Sequence, residues 1–448
     1  MKSQDPNFPM RRASLTALLL LSFGLTAVRG PATAAELGLT EVPVEASVGV
    51  SPAESEVMQL QLEVEPRWDA TLGDAGSAVL SFRLRLDGKD ELEPGAPPFD
   101  NYDGPSKPLT LGDAGTLELR DVYYEHRLSS GLLRVGKQQI VWGRLDGVKI
   151  LDVLNPQTFR EFILDDLGDS RIGLWSAYLD YSVGAWRAEL ALIPDQTSHD
   201  IPEPGAWFEL RAPRFRFGAP VDAAGLPRRS EGGSDWLEDG ALGLRLSRFV
   251  GGVDVSGLYY SGQDHEPLGR VGLGEDGLFL EQYHRRREVL GLSAESSFGP
   301  VAWRAELSHQ PGRRFNVRGA AGLDEVELDQ SVLGVGADIQ LPLNLLANVQ
   351  LLWDRVHDAP AGLIRPNEDQ LATVFLRRGF AYETLQTEFR WYHSLTDHDD
   401  TMALRASYAV NDELTLFASG EWFTGTPLGL FGQFARQDRV VLGFSRYF

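Results

Sequence analysis

The chain has 448 residues, no cysteine and a formal net charge of −22, a balance that argues against a nucleic-acid partner and against an anionic membrane surface. Lacking disulfides, an exported protein of this size must be held together by other means. A mean hydropathy of −0.20 is too low for a bundle of membrane helices, yet it suits a barrel wall in which only alternate residues are apolar.

The N-terminus reads as an export signal. Arg11-Arg12 precede an apolar run from Ala13 to Val28, which ends at the small-residue site Ala32-Thr33-Ala34. This order describes a secretory signal peptide over residues 1–35, cut after Ala34 or Ala35, with Met10 as a second candidate start. No Cys follows the apolar core, which excludes a lipidated N-terminus. Beyond it no apolar run is long enough for a spanning helix, so export is expected to continue past the inner membrane.

Residues 36–56 are expected to form a periplasmic segment or a first strand, and 57–448 an outer-membrane barrel. Apolar and polar residues alternate repeatedly: Leu60, Leu62 and Val64 against Gln59, Gln61 and Glu63; Phe82 and Leu84 against Arg83 and Arg85; Leu190 and Leu192 against Arg187 and Glu189; Leu404 and Tyr408 against Arg405. Each is a strand with one apolar face. Short turns are predicted at Ser129-Ser130-Gly131, Val183-Gly184, Gly251-Gly252, Gly299-Pro300, Pro342-Leu343-Asn344 and Asn411-Asp412. They alternate with long polar connections near 88–115, 141–171, 195–240, 262–287, 311–329, 357–370 and 424–437. Short turns on one rim and long loops on the other are the anatomy of an all-β transmembrane antiparallel barrel. We count 17 strands from Val57 onward, with 41–50 as a candidate eighteenth, and expect 16–18. The stretch Asp87–Asp113 carries seven acids against Lys89 and Lys107, which suits solvated loops. It is also compatible with lipopolysaccharide cross-linked by divalent cations.

The last strand, Asp438 to Phe448, places Val440, Leu442, Phe444, Arg446 and Phe448 on one face and ends on an aromatic residue. It looks like the closing strand of an outer-membrane barrel and a recognition element for the barrel-assembly machinery. Phe448, Phe444, Trp186 and Trp303, with Trp68 and Trp422, fall near strand ends and are expected to anchor the barrel at the membrane interface.

Alternation sends a mixed-sign set into the lumen: Glu63, Arg83, Arg85, Glu118, Arg120, Arg187, Glu189, Arg245, Arg304, Glu306, Glu388, Arg390 and Arg405. Such a wall selects solutes in a pore, or else neutralises itself in cross-strand pairs that prop the barrel.

Residues 141–171 stand apart because the loop is apolar, with Val148, Ile150, Leu151, Val153, Leu154, Phe159, Phe162, Ile163 and Leu164. An apolar loop at an outer surface is costly unless it packs somewhere. We expect it to fold into the barrel as a constriction or partial plug. Asn155-Pro156 reads as a turn, and Asp169 and Arg171 are expected to pin the loop to the wall. Asp165, Asp166 and Asp169 lack the spacing of a calcium loop, so no metal is expected.

The string GKQQIVWGRLDGVKILDVLNPQTFREFILDDLGDSRI resembles a family of proteobacterial outer-membrane proteins described mainly as a domain of unknown function. The match is strongest over 133–194, at Gly136, Gln138, Trp142, Gly143, Asp152, Asn155, Pro156, Arg160, Glu161, Asp165, Asp166, Asp169 and Arg171. The resemblance implies a porin-like barrel in a Gram-negative outer membrane, moving small or hydrophobic solutes, and an association with inner-membrane exporters. It carries no catalytic residue and no cofactor. No H-E-x-x-H, G-x-S-x-G or phosphate-cradling glycine loop is present, so an enzyme is not expected. The expected function is an outer-membrane channel. The alternative is a non-conducting barrel with a structural, assembly or hydrolytic role.

Overall fold

The computed structural model describes residues 36–96, 100–165, 167–219, 228–230, 239–274, 277–319 and 322–448; the expected signal peptide lies outside them. Eighteen antiparallel strands close into one barrel. The first four are β1 (Pro43–Ser51), β2 (Glu56–Val64), β3 (Gly76–Asp87) and β4 (Gly115–Leu128). Next come β5 (Gly131–Gln138), β6 (Leu174–Val183), β7 (Trp186–Ile193), β8 (Ala241–Val250) and β9 (Val253–Gln263). The far wall is β10 (Arg286–Phe298), β11 (Val301–Gly319), β12 (Gly322–Leu341), β13 (Leu345–Val356) and β14 (Glu368–Phe380). The ring ends with β15 (Leu385–Ser394), β16 (Asp399–Ala409), β17 (Leu414–Thr424) and β18 (Arg439–Tyr447). Closure is made by β18 on β1, in a register running from Pro43↔Tyr447 to Val50↔Val440. The segment read as a candidate eighteenth strand is therefore β1, and the barrel has no free edge, the one sheet arrangement that satisfies every backbone group in hydrocarbon.

The two faces of the wall separate cleanly. Leu244, Leu246, Leu290, Leu292, Leu351, Leu404, Leu416 and Leu442 are exposed on the outside. Their alternate neighbours Arg245, Ser247, Ser293, Gln350, Glu421 and Arg439 are buried on the inside. In a soluble protein such an outer face would drive association; here it is the surface that meets lipid. Trp186, Trp303 and Phe448 are exposed beside the rim of short turns, with Phe298, and Phe444 is half-buried.

Every predicted short turn is found on that rim, joined by 381–384 and by 73–75, where a short strand Arg67–Leu72 carries β2 onward and pairs with β3. On the opposite rim the connections at 52–55 and 395–398 are short, and β11 pairs with β12 up to Gly319 and Gly322. The predicted loop at 311–329 is the clear correction. β11 and β12 run on through it as a hairpin of 19- and 20-residue strands, roughly twice the length a bilayer requires. Pro311, Gly312 and a dense set of charges made the stretch read as irregular. Cross-strand pairs such as Arg314–Glu327, at 2.6 Å, instead hold a solvated ribbon above the wall. The connection 264–285 likewise contains a hairpin, Leu268–Gly274 with Gly277–Tyr283.

Candidate functional site: the lumen and its loop

Among the inward residues expected from alternation, four pairs fall opposite one another in register: Glu63↔Arg85, Arg83↔Glu118, Glu189↔Arg245 and Glu388↔Arg405; Arg304 faces Glu295, which is not among them. Arg83 donates to Glu118 at 2.8 Å and Arg85 to Glu63 at 3.0 Å. Arg304 reaches Asp338 at 2.5 Å. Glu189 sits 3.5 Å from Arg245 and accepts the Tyr178 hydroxyl at 2.6 Å. Arg187 is half-exposed and pairs with Asp180 at 2.7 Å. Glu388 lies 3.6 Å from Arg390. Arg405 breaks the pattern: its guanidinium lies over the Phe417 ring, 4.0 Å from the centroid.

The segment 139–173 leaves β5 and returns in β6. Its two ends are stapled by one side chain. The Asn155 carboxamide oxygen accepts the Ile140 N–H at 2.8 Å, and its NH₂ donates to the Ile172 carbonyl at 2.8 Å. The Asn thus adds the bonds of its amide to a bend of the chain at Leu154 and Asn155. Pro156 contributes its carbonyl to the Ile172 N–H at 2.9 Å. Arg171 and Asp152, at 2.6 Å, close the segment on itself. Gly136 adopts φ +135° and a Cβ there would collide with the Val122 carbonyl, so the position admits only glycine. Gly143 has its own constraint, the Asp152 side chain 2.9 Å from where a Cβ would be.

One side of the segment is apolar. Trp142, Ile150, Leu151, Val153 and Leu154 pack with Ala191, Ile193, Ala241, Leu258, Tyr260 and Val289. Those wall residues share the parity of the inward set on β7 to β10 (Glu189, Arg245, Ser256, Ser293). Wall glycines make the approach possible, since a Cβ at Gly243 would meet the Trp142 ring and one at Gly334 would meet Ile150. Glu306, on β11, accepts the backbone N–H groups of Arg144 and, at 3.1 Å, Leu151.

The returning half is held by charge. Arg120 donates to the carbonyls of Arg171 (3.0 Å) and Gly168 (2.9 Å), and Arg83 to that of Asp169 (3.3 Å). The pinning expected of the Asp169 and Arg171 side chains therefore runs through backbone carbonyls, with the arginines supplied by the wall. Arg160 binds Glu93 at 2.8 Å, and Glu161 binds Arg439 at 2.6 Å. Arg439, which also pairs with Glu421, is not among the inward residues named from the sequence, where the aromatic face of its strand is the stronger signal. Alternation alone places it inside. Lys137, Arg144 and the Arg313–Asp264 pair (2.6 Å) were missed too; the last lies in the stretch misread as loop. Asp166 falls outside the described residues. At the long-loop rim Phe162 joins Phe208, Phe423, Phe431 and Phe434 in an aromatic cluster.

Between this segment and the wall lies a polar cavity of about 240 Å³ toward β6 to β8, where Arg144 faces Arg187, Glu189 and Arg245, and two further cavities lie on the other side. One, of about 160 Å³, is lined by Glu45, Arg83, Arg85, Arg405, Glu421 and Arg439 on the wall and by Glu161, Asp165 and Asp169 on the loop. The other, of about 430 Å³, lies against β12 to β15, with Phe159, Phe162, Phe375 and Tyr392 beside Lys149, Arg377 and Asp338. Asp165, Glu388 and Arg390 line both. The loop groups facing them are strongly perturbed. Burial works against ionising Glu161, but Arg439 and Arg160 outweigh it and lower its carboxyl to about 2. Burial, with Glu161 and Asp169 nearby, raises Asp165 to about 7. Burial lowers Lys149 to about 8 despite Asp152. Among the described residues no cluster of three or more His, Asp or Glu is arranged to hold a metal ion.

The family model DUF1302, "Protein of unknown function", matches residues 87–413. No curated protein matches the chain in sequence. Solved structures of outer-membrane porins share its fold. Pseudomonas aeruginosa OccK2 (OpdF), in complex with glucuronate, aligns with a TM-score of 0.51 at 10% identity, covering 92% of this chain and 97% of that one. Pseudomonas aeruginosa OpdK with vanillate aligns at 0.48 and 12% identity over 91% and 97%. Salmonella typhi OmpF aligns at 0.42 and 9% over 92% and 97%.

Proposed function

The chain belongs to the DUF1302 family and has the fold of outer-membrane porins, and on that premise we propose that it is a channel of a Gram-negative outer membrane. The observation that carries this reading is the pair of adjoining cavities inside the barrel. Their wall side carries arginines and carboxylates together, among them Arg83, Arg85 and Arg405 with Glu45, Glu63 and Glu421, and their loop side carries Glu161, Asp165 and Asp169. A narrow gap lined by charges of both signs favours small polar solutes that can orient their own charges in it. Segment 141–171 is the constriction, and movement through the barrel needs no chemistry from it. The acidic loops would meet lipopolysaccharide through its bridging cations, and β18 would present its aromatic end to the assembly machinery.

Single-channel recording of the refolded, signal-free protein in a planar bilayer tests the reading. Discrete open steps are expected. A folded protein that gives none supports the alternative of a sealed barrel, a reading favoured by the small volume of the first cavity and by the aromatic cluster at the rim.

A further inference from the structure

We propose that Asp165 determines the ion preference of the passage, acting as its titratable selectivity residue opposite Arg405. The inference rests on the channel reading and deepens it.

Geometry singles out this carboxylate. Asp165 is half-buried at the junction of the two cavities and lines both, so an ion travelling from one to the other passes it. Nearly every other charge around it is already matched. On its own segment, Glu161 is bound by Arg439 at 2.6 Å and by Arg160 at 3.0 Å. Facing it from β3, Arg83 is taken by Glu118 and Arg85 by Glu63. On β15, Glu388 and Arg390 lie 3.6 Å apart, and on the loop Lys149 is 3.4 Å from Asp152. Asp169 on the same segment and Glu45 on β1 add negative charge. Among the described residues Asp165 makes no hydrogen bond and no ion pair. Arg405, on β16, is engaged by the Phe417 ring face and by no carboxylate among the described residues. Among the described residues the passage is thus left with two carboxylates outside any ion pair, Asp165 and Glu45, of which Asp165 alone lines both cavities, and with Arg405 as a cation outside any ion pair.

A matched pair presents little net field to a passing ion, whereas an unmatched charge in a confined, poorly screened space acts at full strength. Burial and the neighbouring carboxylates raise Asp165 to about 7. Below that pH Asp165 is neutral and the gap is biased toward anions by Arg405. Above it Asp165 is ionised and the bias moves toward cations.

The test is the reversal potential under a potassium chloride gradient, recorded from the wild-type barrel between about pH 5 and about pH 9, two units either side of neutral Asp165. The cation-to-anion permeability ratio should rise severalfold with pH, with its midpoint near that of Asp165. Asp165→Asn, of nearly the same shape, should remove most of the rise, and Glu45→Gln much less of it, because Glu45 lines only the first cavity. Asp165→Glu should restore the rise. A conducting Asp165→Asn barrel whose ratio still climbs like the wild type overturns the assignment while leaving the channel intact. A folded wild-type barrel that never conducts overturns the channel reading and this assignment with it.

Discussion

The two sides of segment 139–173 behave as different materials. Toward β7 to β10 it presents Trp142, Leu151 and Leu154 to an apolar surface, beside a polar cavity at Arg144, Glu189 and Arg245. Toward β12 to β3 it presents aromatic rings and carboxylates to wet gaps lined by arginines. One loop therefore does two jobs, and the lesson is that burial of its apolar side fixes where its charged side sits. Hydrophobic packing supplies the adhesion, and the charge pairs supply position.

That contrast can be broken at several points. Deleting residues 148–164 removes both faces and should have the largest effect, a severalfold increase in single-channel conductance; an unchanged conductance would mean the segment does not constrict. Next, Trp142→Ala removes a fully buried ring from the apolar side. It should cost about 3–5 kcal/mol of local stability, seen as faster amide hydrogen exchange over 140–154. Asn155→Ala leaves the Ile140 N–H and the Ile172 carbonyl without their partner, at a cost of about 1–3 kcal/mol. It should loosen both ends of the segment together, and exchange that rises at one end only would contradict the staple.

The smallest effect comes from pH. Asp165 is raised above its ordinary value, so its contribution favours the docked segment below about pH 4 and is lost as pH rises through about 7. Glu161 is lowered to about 2, so its contribution is present above about pH 4 and disappears only as pH falls toward 2. Between these limits the segment should be best protected in mildly acidic buffer. Exchange over 159–165 should be slower near pH 5 than near pH 8 once corrected for the intrinsic rate. Asp165→Asn should remove the difference.

How much of this was legible in the sequence follows from the physics of each part. Alternation is local, so the strands, the inward charges and the short turns could be read directly; which charge faces which, as Glu63 faces Arg85 and Glu388 faces Arg405, depends on strand register and came only with the structure. The apolar loop betrayed itself because Ile150, Leu151 and Leu154 have no place in water. The ribbon at 311–329 did not, because outside the bilayer a strand needs no apolar face and its polar sequence looks like a loop. Arg439 was visible by parity but lay beside a stronger aromatic signal. Which carbonyls Arg83 and Arg120 would bind depends on contacts between residues about 50 to 90 positions apart, and no local pattern encodes them.

The central claim, that the passage runs along the charged side of the segment and not along the apolar side, has a direct test. The chain has no cysteine, so single cysteines can be placed without background. Ala403 lines the charged cavity, and Ala191 is fully buried beneath the apolar side. With Ala403→Cys, a charged thiol reagent added during single-channel recording should reduce the current in discrete steps. With Ala191→Cys the same reagent should leave it unchanged. Block at Ala191→Cys with none at Ala403→Cys would place the route on the other side of the loop and contradict the account.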